Sequence, residues 1–148
     1  MTKNPKLHLE NQICHSLYSA TNALVRTYRP LLEGLDLTYP QYLVMLALWQ
    51  QDGVMIKNLV ERTRIDAGTL TPLLKRMETK SLITMTKSIE DSRQRMVVLT
   101  QEGQSLIKKA EDIPDKLLCN IDMSKEDGAQ LKRLSEQLFL LLSKQAAQ

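Results

Sequence analysis

The sequence predicts a mainly α-helical protein with one small β-hairpin. Apolar residues recur at helical spacing through most of the chain, whereas residues 82–99 are typical of two strands around a charged tip. Directly before that hairpin, residues 56–80 predict two helices separated by a short turn. The order helix, turn, helix and hairpin is typical of a winged helix-turn-helix. In that fold one helix enters the major groove of DNA, and the hairpin, or wing, reaches the backbone or the minor groove.

The N-terminal third predicts two helices. Small and apolar residues at helical spacing predict a first helix over about residues 7–28. We expect Pro30 to end it, because proline has no amide hydrogen to donate, and residues 31–37 to form an irregular connector. Thr38 is a good N-cap for a second helix, which we expect to run through Trp49.

The central part, about residues 55–100, predicts the winged helix-turn-helix lobe. Its predicted elements are helices over residues 56–63 and 67–80 and strands over residues 82–87 and 95–99. The tip of the hairpin, residues 88–93, is polar and charged.

The C-terminal third predicts two more helical segments. Thr100 can cap a fifth helix, and Pro114 predicts a kink or break further along. Ser124 begins a capping-box-like start of the last helix. One apolar stripe follows on that helix, made of Leu131, Leu134, Leu138, Leu141 and Leu142.

The helices outside the lobe, about residues 7–30 and 100–145, each carry an apolar face. That face could pack into the core of the same chain or against a second copy. We favour a homodimer, because helix-turn-helix proteins usually place two reading helices in successive major grooves about 34–36 Å apart.

Composition is ordinary for a single globular domain spanning residues 1–148, with 43% hydrophobic and 25% charged residues. The formal net charge is +3, and its distribution is uneven. From Lys57 to Arg95 the chain has nine Lys and Arg but five Asp and Glu, whereas the other positions carry one acid in excess. This excess fits a solvated charged face or attraction to phosphate, and the order of the elements favours DNA.

The sequence gives little support for a membrane or secreted protein, for a metal or cofactor site, or for an enzyme. No apolar run approaches the ~18 residues of a membrane span, and the N-terminus lacks the apolar stretch of a signal peptide, so we expect a cytoplasmic protein without membrane contact. His8, His15 and the two cysteines lack zinc-site spacing, so we expect no metal and no cofactor. Phosphate-binding and nucleophile motifs are also missing, so we expect no enzyme activity.

Several motifs resemble known regulators. Asp91-Ser-Arg93 followed by residues 98–103 resembles the wing signature of MarR-type regulators. Four blocks in matching order resemble, more narrowly, the organic hydroperoxide resistance regulators of that family: residues 9–14, 28–32, 37–42 and 68–78. The resemblance covers about residues 7–145 and implies a winged helix-turn-helix with N- and C-terminal dimerisation helices.

The resemblance implies which residues contact DNA. On the reading helix these candidates are Thr69, Thr71, Pro72, Lys75 and Arg76. On the wing, Arg93 corresponds to the arginine that enters the minor groove, and Asp91 to the acid that braces it. The alternatives are helix capping for the threonines and a first-turn position for Pro72.

The resemblance also implies a redox sensor. Cys14 matches the peroxide-sensing cysteine, and Tyr28 and Tyr39 match tyrosines that hydrogen-bond it from the opposite subunit. Fourteen residues on one straight helix span about 21 Å, so Cys14 and Tyr28 of one chain cannot touch. Hydroxyl donors favour the thiolate, which reacts with peroxide to give sulfenic acid. The alternative is a small buried hydrophobic cysteine.

Cys119 predicts the type of sensor. In single-cysteine members of the group, a thiol from outside the protein caps the sulfenic acid. Members with a second cysteine in the C-terminal half form an intersubunit disulfide instead. This chain resembles the second kind, unless Cys119 is a packing residue.

The expected function is therefore a dimeric repressor of palindromic operator DNA, with an organic hydroperoxide as inducer and release on disulfide formation. One alternative is a MarR-type regulator that senses a small aromatic ligand. The other is a thiol peroxidase, which would turn over peroxide with a reductant.

Overall fold

The computed structural model describes residues 1–146, which fall into one compact unit from Met1 to Leu117 and another that begins at Leu118. The helices of the described residues are α1 (Ile13–Leu32), α2 (Tyr39–Gln50), α3 (Ile56–Thr63), α4 (Ala67–Thr79), α5 (Gln101–Ser105), α6 (Ile107–Ala110), α7 (Ile113–Cys119) and α8 (Lys125–Ala146). The strands are β1 (Val54–Met55), β2 (Ile83–Lys87) and β3 (Arg95–Leu99). The predicted mainly α fold with a small wing is confirmed.

Helix α1 departs from its predicted bounds at both ends. Residues 5–11 form two short 3-10 turns instead of helix, and the Gln12 side chain donates hydrogen bonds to the carbonyl oxygens of Lys6 and His8, 2.8 and 2.9 Å away. At the other end, Pro30 does not stop the helix, which continues to Leu32. A proline this close to a helix end removes one amide hydrogen bond, and the residues before it stay helical.

Helix α2 is the central helix of the first unit. It begins with a complete capping box: Thr38 Oγ1 accepts from the Gln41 N–H at 3.4 Å, and Gln41 Oε1 accepts from the Thr38 N–H at 3.1 Å. The helix is buried on several sides, and the core around it draws on helices α3 and α4 and on the sheet. The largest fully buried side chains of the first unit include Met45, Leu48, Leu59, Leu70, Leu74, Met77, Ile83 and Val97.

The wing is a three-stranded antiparallel sheet in the order β1-β3-β2. The strands β2 and β3 match the predicted hairpin to within one residue. Strand β1 was not predicted, because two residues are too short to show a strand pattern. It pairs Val54 with Val97 and Met55 with Met96, and so ties the start of α3 to the wing.

The segment after the wing is broken more than the sequence predicts. Thr100 caps α5 as expected, accepting from the Gly103 N–H at 3.0 Å. The expected break near Pro114 is confirmed, but it lies before the proline, which is the second residue of α7. Ser124 begins α8 as predicted, accepting from the Asp127 N–H at 3.1 Å.

Two helices leave apolar side chains in solvent. No residue of α8 is buried, and the members of its predicted stripe are about half exposed except Leu138, which is more covered. Ile13 and Tyr18 on the first half of α1 are also well exposed. No described helix is long and apolar enough to cross a membrane.

Candidate DNA interface and redox centre

Helix α4 presents the predicted DNA contacts on one outward surface. Its opposite face, made of Leu70, Leu73, Leu74 and Met77, is buried in the core. The five candidates face away from that core, and four of them are exposed while Thr71 is partly covered: Thr69, Thr71, Pro72, Lys75 and Arg76. This surface combines two cations, two hydroxyls and a proline, and it can meet both phosphates and base edges.

The hydroxyls on α4 already make bonds within the helix. Thr69 Oγ1 donates to Asp66 Oδ2 at 2.7 Å, and Thr71 Oγ1 donates to the Ala67 carbonyl oxygen at 3.0 Å. Asp66, which was not predicted from the sequence, is the N-cap and also accepts from the Thr69 N–H at 2.9 Å. The hydrogen bond from the Thr69 side chain is the largest of the effects that lower the pKa of Asp66. The threonine oxygens keep lone pairs that can accept from DNA bases.

Pro72 lies in the interior of α4, so the alternative of a first-turn proline is wrong. As the sixth residue of the helix, it cannot donate to the carbonyl of Gly68 four residues earlier. That carbonyl oxygen is left without its usual intrahelical partner near the surface that would face DNA.

The wing tip is shaped by its own hydrogen bonds. Ser88 N–H donates to the Gln94 carbonyl oxygen at 2.8 Å, and Gln94 N–H donates to that of Asp91 at 2.9 Å. Asp91 Oδ1 accepts from the backbone N–H of Arg93 at 3.0 Å. Asp91 therefore holds the arginine through its backbone and leaves the exposed guanidinium for another partner.

The base of the wing is fixed to the lobe. Thr100 N–H donates to the Leu82 carbonyl oxygen at 3.1 Å, and Thr100 Oγ1 donates to that of Ser81 at 2.5 Å. A Cβ on Gly103 would lie 2.2 Å from the Leu82 oxygen, so only glycine fits there. The Trp49 indole N–H donates to the Gly103 carbonyl oxygen at 3.0 Å and links α2 to the same point.

Three tyrosines form a ring cluster where α1 meets α2. The ring centroids of Tyr28 and Tyr39 are 4.7 Å apart, and those of Tyr28 and Tyr42 are 5.8 Å apart. Burial, followed by the effects of Tyr39 and Tyr42, raises the pKa of Tyr28 to about 12. Burial also raises the pKa of Tyr39 and Tyr42. The hydroxyls therefore stay protonated and can donate at neutral pH. Tyr42 was not predicted from the sequence, where its signal is its position one turn after Tyr39.

The structure does not place Cys14 near the tyrosines of its own chain. Cys14 is exposed in the first turn of α1, and the helix continues without a break past Tyr28. At 1.5 Å per residue, the two positions are about 21 Å apart along the axis. Cys119 is a free, exposed thiol at the last residue of α7. Among the described residues, no group of three or more His, Cys, Asp or Glu could hold a metal ion.

Comparison with known proteins decides the family. Residues 26–110 match the family model described as transcriptional regulator SarA/Rot. Over 136 residues, the chain is 44% identical to the organic hydroperoxide resistance transcriptional regulator of Bacillus subtilis (strain 168), covering 92% of this chain and 90% of that protein. The chain belongs to the MarR family. Within that family it is a DNA-binding transcriptional regulator of the organic hydroperoxide resistance group.

Solved structures of AbfR, a protein of Staphylococcus epidermidis, have the same fold. Reduced AbfR bound to DNA matches with a TM-score of 0.79 at 26% identity, covering 97% of this chain and 98% of that one. Disulfide-formed AbfR matches with a TM-score of 0.61 at 26% identity, covering 95% of this chain and 93% of that one. The MarR-type winged helix is therefore established for this protein.

Proposed function

We propose that this MarR-family protein is a dimeric repressor that senses organic hydroperoxides through Cys14. The separation of Cys14 from Tyr28 along an unbroken α1 carries this proposal. One chain holds an exposed thiol at one end of the helix and a pair of protonated tyrosine hydroxyls at the other. Two chains with crossing first helices supply each thiol with the hydroxyls of the partner, and hydroxyl donors favour a reactive thiolate.

The first chemical step is oxidation of Cys14. Its thiolate sulfur attacks the terminal oxygen of the hydroperoxide, the one that carries hydrogen, the O–O bond breaks, and the departing alkoxide takes up a proton to leave as the alcohol. Cys14 is then a sulfenic acid, oxidised by two electrons while the peroxide is reduced.

The second step forms a disulfide between subunits. The Cys119 thiolate of one chain attacks the sulfenic sulfur on Cys14 of the other, an S–S bond forms, and the hydroxide that leaves becomes water with a proton. The Cα atoms of a disulfide lie within about 7 Å, so the subunits move to meet that limit. A thousandfold loss of DNA affinity needs a difference of about 4 kcal/mol between the two states.

DNA is bound by the outward face of α4 and by the wing. We infer that Lys75 and Arg76, with Thr69, Thr71 and Pro72, lie in the major groove, and that Arg93 enters the minor groove with Asp91 fixing its backbone. Support comes from the exposure of these side chains, of which only Thr71 and Asp91 are partly covered, and from the solved complex of reduced AbfR with DNA. Overoxidised AbfR has also been solved bound to DNA. We therefore expect the disulfide, rather than oxidation of Cys14 alone, to release this protein from its operator.

The test is DNA binding before and after cumene hydroperoxide, using a fragment selected from random sequence by the reduced protein. Wild type should leave the DNA and run as a covalent dimer on a non-reducing gel. Cys14→Ser should bind DNA and ignore the peroxide. Cys119→Ser should lose the covalent dimer and stay on the DNA, with Cys14 over-oxidised.

Other outcomes would point to the alternatives. Peroxide-dependent release of Cys14→Ser would overturn the sensor role of this cysteine. Release of that variant by a small aromatic compound would favour a ligand-sensing regulator. Consumption of many equivalents of peroxide per protein, with a thiol reductant present, would indicate a peroxidase.

A further inference from the structure

Four cations lie at the tip end of the wing and beside it on α3, and we call them the wing cations: Lys57, Lys87, Arg93 and Arg95. Three of them line an open cleft of about 430 Å³ between the start of α3 and β3, together with Met55, Ile56 and Gln94. None of these six lining residues is acidic. The first turn of α3 opens on this cleft, and its N-cap Met55 supplies no side-chain acceptor to the N–H groups there. The cleft is thus positively charged on two sides.

Two of the wing cations stand directly opposite each other. In the register of the wing, Lys87 on β2 pairs with Arg95 on β3. Side chains of directly opposed residues project from the same face of a sheet, and like charges in such a pair destabilise it. The isolated wing therefore carries a repulsion that a pair of neutral residues would avoid.

Among the described residues, no carboxylate in direct contact with these cations relieves this repulsion. Within residues 1–146, none of the wing cations has an ion pair with an acidic side chain. Glu78 is engaged by the backbone, since its Oε2 accepts from the Met85 N–H at 2.7 Å. Asp91 is occupied by the Arg93 N–H at the tip. An anion from outside the chain is what this arrangement lacks.

We propose that Lys57, Lys87 and Arg95 bind phosphate groups of the DNA strand that borders the groove entered by the wing. The proposal rests on the DNA binding described above and adds a second type of contact to it. Arg93, at the tip, reaches the groove, while the other three wing cations hold the backbone beside it. Such contacts fix the depth and register of the wing but carry no sequence information directly. Binding a phosphate also offsets the repulsion between Lys87 and Arg95.

The test compares Lys57→Gln, Lys87→Gln and Arg95→Gln with Lys109→Gln, an exposed lysine of α6 outside the wing. Filter-binding titrations on the selected fragment and on a scrambled one, from 50 to 300 mM KCl, would give affinity and its salt dependence. Each wing variant should weaken binding to both fragments by the same factor. The slope of log K against log salt should fall by about 0.9 for each lost phosphate contact, and so by up to about two per dimer. Lys109→Gln should match wild type.

A second measurement separates this role from damage to the fold. Without DNA and at low salt, Lys87→Gln should raise the thermal midpoint by about 1–3 °C, because the opposed like charges are gone. Weaker DNA binding by a more stable protein cannot come from misfolding. Lys109→Gln should leave the midpoint unchanged.

Three results would overturn the proposal. The first is a wild-type salt slope in all three wing variants, with the fragment still bound. It would show that these cations touch no phosphate, and it would leave the proposed function intact. A loss confined to the selected fragment would show base recognition instead. A lower midpoint for Lys87→Gln would contradict the argument from repulsion.

Discussion

The tyrosine hydroxyls near α1 are suited to donate to a thiolate over a wide pH range. Burial raises the pKa of Tyr28 to about 12 and also raises that of Tyr39. Both hydroxyls therefore keep their hydrogens across the pH range in which a cysteine thiol ionises. Their ring centroids lie 4.7 Å apart, and we expect one approaching sulfur to accept from both hydroxyls. A hydrogen bond to a charged group contributes about 1.5–3 kcal/mol.

Tyr28→Phe and Tyr39→Phe should each slow the reaction of Cys14 with organic hydroperoxide by about tenfold or more at neutral pH, since each removes one donor to the thiolate. Stopped-flow measurement in a Cys119→Ser background would isolate the first oxidation step. The reduced variants should keep wild-type DNA affinity, which serves as the control. Wild-type rates in both variants would contradict the assignment.

Gly103→Ala should destabilise the protein by about 1–3 kcal/mol, the usual cost of overpacking. The new methyl group would lie 2.2 Å from the Leu82 carbonyl oxygen and 3.1 Å from Leu99 Cδ2. Gly34→Ala is the matched control, because no atom beyond its own local backbone and chain neighbours lies within 4 Å of its added carbon. Chemical denaturation would give both free energies of unfolding, and equal values for the two variants would argue against a tight contact.

Single residues show where prediction from sequence works. Thr38, Thr100 and Ser124 were predicted as caps and are caps, because the side chain and the N–H that it meets are three residues apart. Asp66 and Tyr42 were missed. The first makes the same local contact and could have been found, whereas the second depends on packing between helices.

At the scale of elements, the stability of α4 depends on pH. The Thr69 side chain and N–H both donate to Asp66, and together they lower the pKa of this N-cap. A depressed pKa in the folded state stabilises the fold above the pKa of the unfolded aspartate, about 3.9. That contribution is lost as the pH falls through the lower folded value.

The matched variant is Asp66→Asn, which can still cap the helix but cannot titrate. Wild type should have the higher thermal midpoint at pH 7, and the gap between the two proteins should shrink as the pH approaches 3. Circular dichroism melts at several pH values would measure it. A gap that stays constant with pH would show that the charge of Asp66 adds nothing.

The bounds of elements were harder to predict than their order. All predicted helices and both hairpin strands exist, yet α1 begins six residues late and passes through Pro30. The segment from Thr100 to Cys119 is three short helices. Periodicity detects an apolar face, but it does not show where local hydrogen bonds, such as those of the Gln12 side chain with the carbonyl oxygens of Lys6 and His8, set the start of a helix.

For the whole molecule, the apolar residues of α8 favour a second copy as their partner. Leu134 and Leu141 are 47% and 54% exposed, on a helix without one buried residue. Such a surface on a regulator whose operator should be palindromic fits a twofold dimer. The sequence predicted this stripe but could not tell whether its own chain would cover it.

Leu134→Glu and Leu141→Glu should each shift the protein toward monomer and weaken operator binding, because a charge then replaces apolar contact area. Ser143→Glu adds the same charge on the other side of α8 and should remain dimeric. Analytical ultracentrifugation would report the mass of each protein. If both leucine variants dimerise as tightly as wild type, the interface lies elsewhere.

The contact between Trp49 and Gly103 gives the protein an internal optical probe. Trp49 is the only tryptophan in the chain. Its indole N–H meets the Gly103 carbonyl at the base of the wing, and its ring lies 6.4 Å from that of Tyr42. Light absorbed by the tyrosine cluster can therefore be re-emitted by an indole that touches the DNA-binding lobe. The intrinsic fluorescence of Trp49 should therefore change on oxidation and on operator release, without any attached dye.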